Sequence, residues 1–155
     1  MAPADRDVVV VHDAHLDGVR VCDLPRSELP GMVPGLADGL DACAGMTVIV
    51  EMKSFPEDEY FDPSQRLVHR VLALLDGRGW SDEVILSSFG QAALDVVRRD
   101  APHVPTAALM FARAPEPERL AAVAEAGHRL AHPYDAMVDA GFVAEARRQG
   151  VDLDV

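Results

Sequence analysis

Short apolar runs rich in β-branched residues alternate with helix-like segments along the sequence, and this alternation limits the folds open to the chain. Between the runs, apolar side chains recur at helical spacing, and Gly or Pro residues mark most boundaries. Strands that alternate with helices in this way form parallel sheets with right-handed crossovers. The sequence therefore predicts an α/β fold with strands near residues 8–11, 47–51, 83–88, 106–111, 128–131 and 151–155.

Three local signals predict how the elements are joined. Asp17-Gly18 is a hairpin turn signal. Asp62 is expected to cap a helix whose first residue is Pro63, because an acidic N-cap followed by Pro is a common helix start. Gly150 is expected to end the last helix.

Ionisable side chains follow the first two β-branched runs. His12 and Asp13 come directly after run 8–11, and Glu51 and Lys53 stand at the end of run 47–51. In parallel α/β folds, residues just past the carboxyl ends of strands line the substrate site. Glu51 and Lys53 are two residues apart and project to the same face of a strand. We therefore expect His12 and Glu51 to approach each other across one face of the sheet.

Structural roles are the alternative for these and other polar residues. His12 could bond a backbone carbonyl, and Glu51 with Lys53 could form a partly exposed ion pair worth ~0–1 kcal/mol. Ser87, Ser88 and Phe89 are expected to serve packing and turn formation. His132 follows the weak strand 128–131 and could face the same site, but it is expected to lie in a loop or cap a helix. The remaining histidines are predicted to be solvated: His15, His69, His103 and His128.

Composition excludes several functions. The formal net charge of -12 argues against a nucleic-acid partner, because phosphate binding needs a basic surface. Cys22 and Cys43 lack metal-site or redox spacing and are expected to be free thiols. No apolar run approaches the ~20 residues of a membrane span, and residues 1–7 lack a signal-peptide profile, so we expect a cytoplasmic protein.

The absence of nucleotide-binding motifs narrows the α/β alternatives. Neither G-x-G-x-x-G after a strand nor G-x-x-x-x-G-K-S/T occurs, which weakens the case for an open nucleotide-binding sheet. A barrel is favoured instead, although a complete (β/α)₈ barrel usually takes ~250 residues.

An ordered set of segments resembles the glycerophosphodiester phosphodiesterases: V-V-V-V-H-D, L-D-G-V-R-V-C-D-L, V-P-G-L-A-D-G-L, V-I-V-E-M-K and V-I-L-S-S-F. The resemblance implies a metal-dependent TIM-type barrel that hydrolyses glycerophosphodiesters, such as glycerophosphocholine, to an alcohol and glycerol 3-phosphate. By the same resemblance, His12 matches a catalytic histidine, Lys53 an active-site lysine near the phosphate, and Glu51 a carboxylate ligand of Ca²⁺ or Mg²⁺. These types suit the reaction, since imidazole moves protons near neutral pH and hard cations prefer carboxylates.

The family's H-R-G, E-x-D and W-T-V-N segments have no match in the sequence. We therefore expect residues 1–155 to form a single partial domain, an incomplete (β/α)₈ barrel whose activity alone is doubtful. The alternative function is a non-catalytic truncated remnant or interaction module of the same fold. Strands at the open ends of such a sheet are expected to promote self-association through their exposed edges.

Overall fold

The computed structural model describes residues 7–58, 60–111 and 117–155. A short hairpin precedes a regular series of helices and strands. The strands are β1 (His15–Leu16), β2 (Val19–Arg20), β3 (Val48–Glu51), β4 (Val84–Ser88), β5 (Thr106–Met110), β6 (Leu130–Pro133) and β7 (Asp152–Leu153). The α-helices are α1 (Leu36–Ala42), α2 (Arg66–Arg78), α3 (Gln91–Asp100), α4 (Pro117–Glu125) and α5 (Ala140–Gln149).

Strands β3 to β7 form one five-stranded sheet in the order of the sequence. Every neighbouring pair is parallel, and a helix connects each strand to the next. The predicted α/β fold with a parallel sheet is therefore confirmed. Each predicted run after the first overlaps a strand of this sheet, because apolar runs of this length are long enough to cross it.

The core lies on one face of the sheet. Val48 and Val50 of β3 pack against the main core cluster, whereas Ile49 between them is 45% exposed. Helices supply the other side of this cluster, for example through Val71 of α2 and Leu94 of α3. Because strand side chains alternate between faces, the other face presents a separate set of residues. We call it the inner face; it carries Ile49, Glu51, Ile85, Ser87, Ala107, Leu109, Leu130 and His132.

The first β-branched run does not join the sheet, and this prediction was wrong. Val9 makes an isolated antiparallel bridge with Gly35, in the turn before α1. The Val10 amide donates to the Pro34 carbonyl at 3.0 Å, and the Leu36 amide donates to the Val8 carbonyl at 2.7 Å. These bonds engage the backbone of the run with residues just before and at the start of α1. Val9 is buried, but Val10 is 48% exposed, so the run is not buried on both faces.

The local signals have mixed outcomes. The Asp17-Gly18 hairpin is confirmed: it joins β1 to β2 with positive φ at both residues, 50° and 81°, which glycine readily adopts. Gly150 follows α5 as its C-cap, as predicted. The predicted start at Pro63 is wrong, because α2 begins at Arg66. Asp62 instead accepts bonds from the Ser64 amide at 3.0 Å and the Ser64 hydroxyl at 2.6 Å, which hold a turn before the helix.

No helix within the described ranges combines the length and apolarity that crossing a membrane requires.

Candidate active site

A cavity of about 430 Å³ separates the first β-branched run from strand β3. Residues 8–12 line one side of it and residues 48–53 line the other, while Leu40 and Val71 contribute from helices α1 and α2. Its walls are mainly aliphatic, and the ionisable side chains of His12, Glu51 and Lys53 are part of the lining. The structure therefore brings the three sequence-predicted site residues to one cavity.

Glu51 and Lys53 lie at the carboxyl end of β3, where the strand leaves the sheet. Lys53 Nζ is 3.4 Å from Glu51 Oε1, and the two side chains are 22% and 38% exposed. An ion pair this exposed adds little to folding, because water screens the attraction. Both charged groups are thus accessible to a ligand at the edge of the sheet.

His12 is one of the most exposed side chains of the candidate site. Its Nδ1 lies 2.7 Å from Asp13 Oδ1, and the two side chains are 90% and 76% exposed. The imidazole therefore bonds a carboxylate instead of the backbone carbonyl considered as its structural alternative. With Nδ1 engaged by Asp13, the other ring nitrogen is the one available to exchange a proton with a ligand.

Hydrogen bonds from two buried serines hold the loops that carry the site. Ser88 at the end of β4 donates from Oγ to the Met52 carbonyl at 2.7 Å. Ser54, just past Lys53, donates from Oγ to Gln65 Oε1 at 2.7 Å. These bonds hold the chain on both sides of Lys53, in keeping with the packing role predicted for Ser88.

Gly90 sets the distance between the loops after β3 and β4. A Cβ atom at this position would lie 2.0 Å from the Ser54 carbonyl oxygen, so only glycine fits. This approach places Phe55 beside Phe89, with ring centroids 6.5 Å apart in an edge-to-face arrangement. Phe89 was expected to be a packing or turn residue, whereas no sequence pattern indicated a role for Phe55.

A second cavity, of about 220 Å³, opens beside the first. Glu51 and Lys53 line both cavities, whereas Phe55, Asp58 and Phe89 line only the smaller one. The charged pair thus stands between an aliphatic cavity and a smaller cavity with aromatic walls.

The model of the glycerophosphoryl diester phosphodiesterase family matches residues 3–155. The chain belongs to this family. Its resemblance at five sequence segments is therefore a family relationship, and the charged cavity edge lies in a glycerophosphoryl diester phosphodiesterase domain. No curated protein matches the chain.

Solved structures agree with the family. A protein from Silicibacter pomeroyi DSS-3 has been assigned as a glycerophosphoryl diester phosphodiesterase. It is 27% identical to this chain, and the two structures superpose with a TM-score of 0.83 over 99% of this chain and 69% of that one. A glycerophosphodiester phosphodiesterase from Parabacteroides distasonis ATCC 8503 is 16% identical, with a TM-score of 0.79 over 99% and 66%.

A phosphodiesterase from Oleispira antarctica, solved with its product sn-glycerol-3-phosphate, is 17% identical, with a TM-score of 0.80 over 98% of this chain and 68% of that one. At this identity the likeness shows the fold alone. The chain spans about two thirds of the length of each of these phosphodiesterases.

The donor atoms at the site determine whether a divalent ion fits this family member. In ranges 7–58, 60–111 and 117–155, no group of three or more His, Cys, Asp or Glu side chains is placed to hold a metal ion. Hard cations take six or more oxygen ligands, and Glu51 supplies one carboxylate that also faces the Lys53 ammonium. The described residues therefore do not form a tight Ca²⁺ or Mg²⁺ site.

Two histidines of this phosphodiesterase domain differ from their predicted settings. His132 lies on strand β6, not in a loop, and its Nε2 is 3.7 Å from Asp154 Oδ2. His128, predicted to be solvated, is 1% exposed and bonds Thr106 and Gln91. For both histidines burial lowers the pKa of the imidazole. The alternation of His132 with Leu130 was the available sequence signal for an inner-face position.

Proposed function

We propose that this chain contributes to glycerophosphodiester hydrolysis, with water as the second substrate and an alcohol and glycerol 3-phosphate as products. The observation that carries the proposal is the placement of His12, Glu51 and Lys53 on one cavity of a glycerophosphoryl diester phosphodiesterase domain. Acid–base, anionic and cationic groups at one site are the set that phosphodiester cleavage uses.

Each residue has a distinct proposed role. Lys53 binds the negatively charged phosphate oxygens, since an ammonium acts on phosphate as a positive point charge. His12 transfers a proton: water attacks phosphorus and gives up one proton, the bond from phosphorus to the alcohol oxygen breaks, and that oxygen takes a proton from His12, which the proton given up by water replaces. The exposed imidazole reaches the cavity rim, where a leaving alcohol can meet it.

Glu51 is proposed as one carboxylate ligand of Ca²⁺ or Mg²⁺. When bound, such an ion offsets phosphate charge and polarises a phosphoryl oxygen. The Glu51 carboxylate supplies at most two of the six or more oxygens that the ion requires, so the roles of His12 and Lys53 do not depend on the ion.

The site offers few oxygen ligands for a divalent ion, and this also favours a second candidate function, a non-catalytic binding or interaction module of the same fold. Such a module would retain the cavity and Lys53 but bind a phosphate ester without cleaving it. Product release with added metal distinguishes it from a hydrolase.

We further propose that residues 1–155 form one partial domain and that the sheet is an incomplete (β/α)₈ barrel. Supporting this, helices pack on one face of the sheet, while the inner face carries Glu51 at its carboxyl edge, where barrel enzymes place their sites. A cytoplasmic location and the lack of a nucleic-acid partner stay predictions from the sequence.

The test uses the purified chain, glycerophosphocholine, saturating Ca²⁺ or Mg²⁺, and coupled detection of glycerol 3-phosphate. We expect slow release that falls to the uncatalysed rate in His12→Ala and Lys53→Met. The exposed His103→Ala variant is the matched control and should keep the wild-type rate. The binding module would instead be supported if the unaltered chain binds glycerol 3-phosphate but releases it from glycerophosphocholine no faster than the uncatalysed reaction does.

A further inference from the structure

The outer edge of strand β3 offers backbone hydrogen bonds to another chain. β3 is the outermost strand of the sheet and, among the described residues, it pairs with β4 alone. The amides of Val48 and Met52 donate to carbonyls on the side of β4, at 2.8 Å and 2.7 Å. Backbone groups point alternately to the two sides of a strand, so those of Ile49 and Glu51 point away from β4. These two residues therefore present a donor and an acceptor each at the outer edge.

The larger cavity runs along this edge. All six residues from 48 to 53 line it, although their side chains alternate between the two faces of the sheet. The cavity therefore follows the edge of the strand and does not lie over one face. Its opposite wall is run 8–11, whose backbone is held by the bonds to Pro34 and Leu36. An occupant thus meets a strand edge on one side and a fixed wall on the other.

The lining of the larger cavity favours aliphatic side chains. Val10 and Ile49 are 48% and 45% exposed, and Val48, Val50 and Leu67 are partly buried. Covering these residues would bury apolar surface that now contacts water, which favours binding. The cavity of about 430 Å³ is roughly three times the ~150 Å³ that accepts a benzene ring, so it has room for about three aliphatic side chains.

One inserted strand fits these features better than other occupants do. A strand pairs with β3 through its backbone and places alternate side chains between the aliphatic walls. The outer strand β7 of a second copy would bring its neighbour β6 with it, and run 8–11 already lies on the far side of the cavity. A fatty acyl chain would fill the aliphatic space but would give the backbone of Ile49 no hydrogen bonds.

Charge determines what flanks the inserted segment. In the described lining, the charged side chains are Glu51 and Lys53 at the carboxyl end of β3 and His12 after run 8–11, so the middle of the cavity is uncharged. The chain as a whole carries a formal net charge of -12 and attracts basic polypeptides at long range. The best-fitting segment is therefore aliphatic at alternate residues and basic on either side.

We propose that the larger cavity is a docking site for one extended segment of another protein, which pairs with the outer edge of β3 and carries aliphatic side chains between basic flanks. The docked segment adds a strand to the sheet and covers Val10 and Ile49. Glu51 and Lys53 also line the smaller cavity, so a small molecule still reaches them from that side. The proposal requires no hydrolysis and stands independently of the proposed function.

The test titrates the purified full chain with the peptide K-K-V-T-V-T-V-K-K, followed by calorimetry. The matched ligand is the same peptide with N-methyl groups on the amides of V-T-V-T-V, which keeps the side chains but removes the backbone donors. We expect the unmodified peptide to bind roughly 10-fold or more tightly, because several backbone bonds depend on those donors. Failure of the unmodified peptide to bind, or equal binding of the two peptides, would overturn the proposal.

Matched variants locate the docking site. Ile49→Pro removes an amide of the outer edge and keeps the bonds of β3 with β4, because proline is tolerated where the N–H faces outward. It should weaken peptide binding by roughly 3-fold or more, the effect of about one lost bond. Equal affinities of Ile49→Pro and the unaltered chain would show that apolar filling alone holds the peptide, and would refute strand pairing.

A second pair of variants tests the cavity and leaves the strand unaltered. Gly39 lies on α1, and its added Cβ would be 3.6 Å from Val10 Cγ2, so Gly39→Leu puts a side chain into the cavity. It should weaken peptide binding by roughly 10-fold or more. Gly77→Leu on α2, outside the cavity, is the control and should bind the peptide like the unaltered chain. Equal affinities of these two variants would place the peptide elsewhere.

Competition identifies the preferred occupant. The peptide E-E-V-T-V-T-V-E-E should bind more weakly than the basic peptide at low salt, and the difference should shrink as salt screens the charges. Equal affinities at low salt would contradict the basic flanks. Displacement of the basic peptide as the chain concentration rises would show that a second copy is preferred, and displacement by laurate that Ile49→Pro leaves unchanged would show an acyl-chain site. Either result would overturn the proposal.

Discussion

The amide nitrogen of Gln91 lies 2.8 Å from His128 Nε2 and 2.8 Å from Asp95 Oδ1. The amide therefore donates one hydrogen to the carboxylate and one to the imidazole, whose Nε2 must accept. The other ring nitrogen, Nδ1, then carries the proton toward the Thr106 hydroxyl at 2.8 Å. A second proton on His128 would face the Gln91 donor, so these contacts favour the neutral imidazole.

The first prediction concerns stability against pH. Burial, and then the nearby Arg98, lower the pKa of His128 in the folded chain below its unfolded value. The unfolded chain therefore binds the proton first as pH falls, and the free energy of unfolding should decline from about pH 7 downward, by at most about 1.4 kcal/mol per pH unit for one histidine. The decline should level off below the folded pKa. Urea unfolding between pH 8 and pH 5 measures it.

Variants assign this decline to its source. His128→Gln should flatten the profile, and the exposed His103→Gln should leave it unchanged. His132, whose pKa burial also lowers, adds to the decline in the same direction, so His128→Gln with His132→Gln should be flatter still. If the free energy of unfolding depends on pH in His128→Gln as it does in the unaltered chain, then His128 is not the neutral imidazole that accepts from the Gln91 amide.

The second prediction concerns the loop contact at Gly90. Gly90→Ala should lower the free energy of unfolding by about 2 kcal/mol or more, because the new Cβ would meet the Ser54 carbonyl oxygen at 2.0 Å. Gly31→Ala is the control, since nothing lies within 4 Å of its added Cβ. Urea midpoints compare the two. Equal stability of both variants would show that the loops can separate at no cost.

The third prediction concerns metal affinity. With Glu51 and Asp58 as the acidic side chains that line the two cavities among the described residues, Ca²⁺ should bind with a dissociation constant weaker than about 10⁻³ M, the upper end for dedicated calcium sites. Calorimetry should detect little heat, and Glu51→Gln should remove it. Glu57→Gln, a loss of charge outside the two cavities, should not. Micromolar binding that survives in Glu51→Gln would place the ligands elsewhere.

The fourth prediction concerns self-association through the outer strands β3 and β7. Size-exclusion chromatography should show larger species as concentration rises, because an outer strand offers backbone groups to another chain. Ile49→Lys puts a charge on exposed β3 and should reduce the effect, whereas Met32→Lys, at an 88% exposed residue outside the sheet, should not. A monomer that persists at every concentration would count against edge pairing.

Local sequence patterns predicted the features that depend on local geometry. The two-residue spacing of Glu51 and Lys53 predicted that they project to the same face, and both line the same two cavities at the carboxyl end of β3. Alternating apolar runs identified the parallel sheet, because strand length and helical periodicity are properties of short segments.

Features that depend on distant partners were not predictable in this way. Run 8–11 has the composition of a buried strand, but its backbone bonds go to Pro34 and Leu36. His128 is buried by contacts with residues 22 and 37 positions away. The aromatic pair at the smaller cavity likewise requires two loops to meet at Gly90, and neither loop's sequence reveals the other.

Because helices pack on one face of the sheet, alternate residues of each strand belong to two different surfaces. Val48 and Leu86 belong to the face that packs against the helices, whereas Ile49 and Leu109 lie on the inner face. Substitutions at exposed inner-face positions such as Ile49 should therefore affect folding little, whereas the buried inner-face residues Ser87 and Ala107 leave no room for larger side chains. A library confined to the inner-face positions of β3 to β6 that are not buried should yield mostly folded proteins with altered ligand preference, and this separation makes the domain a practical starting point for directed evolution.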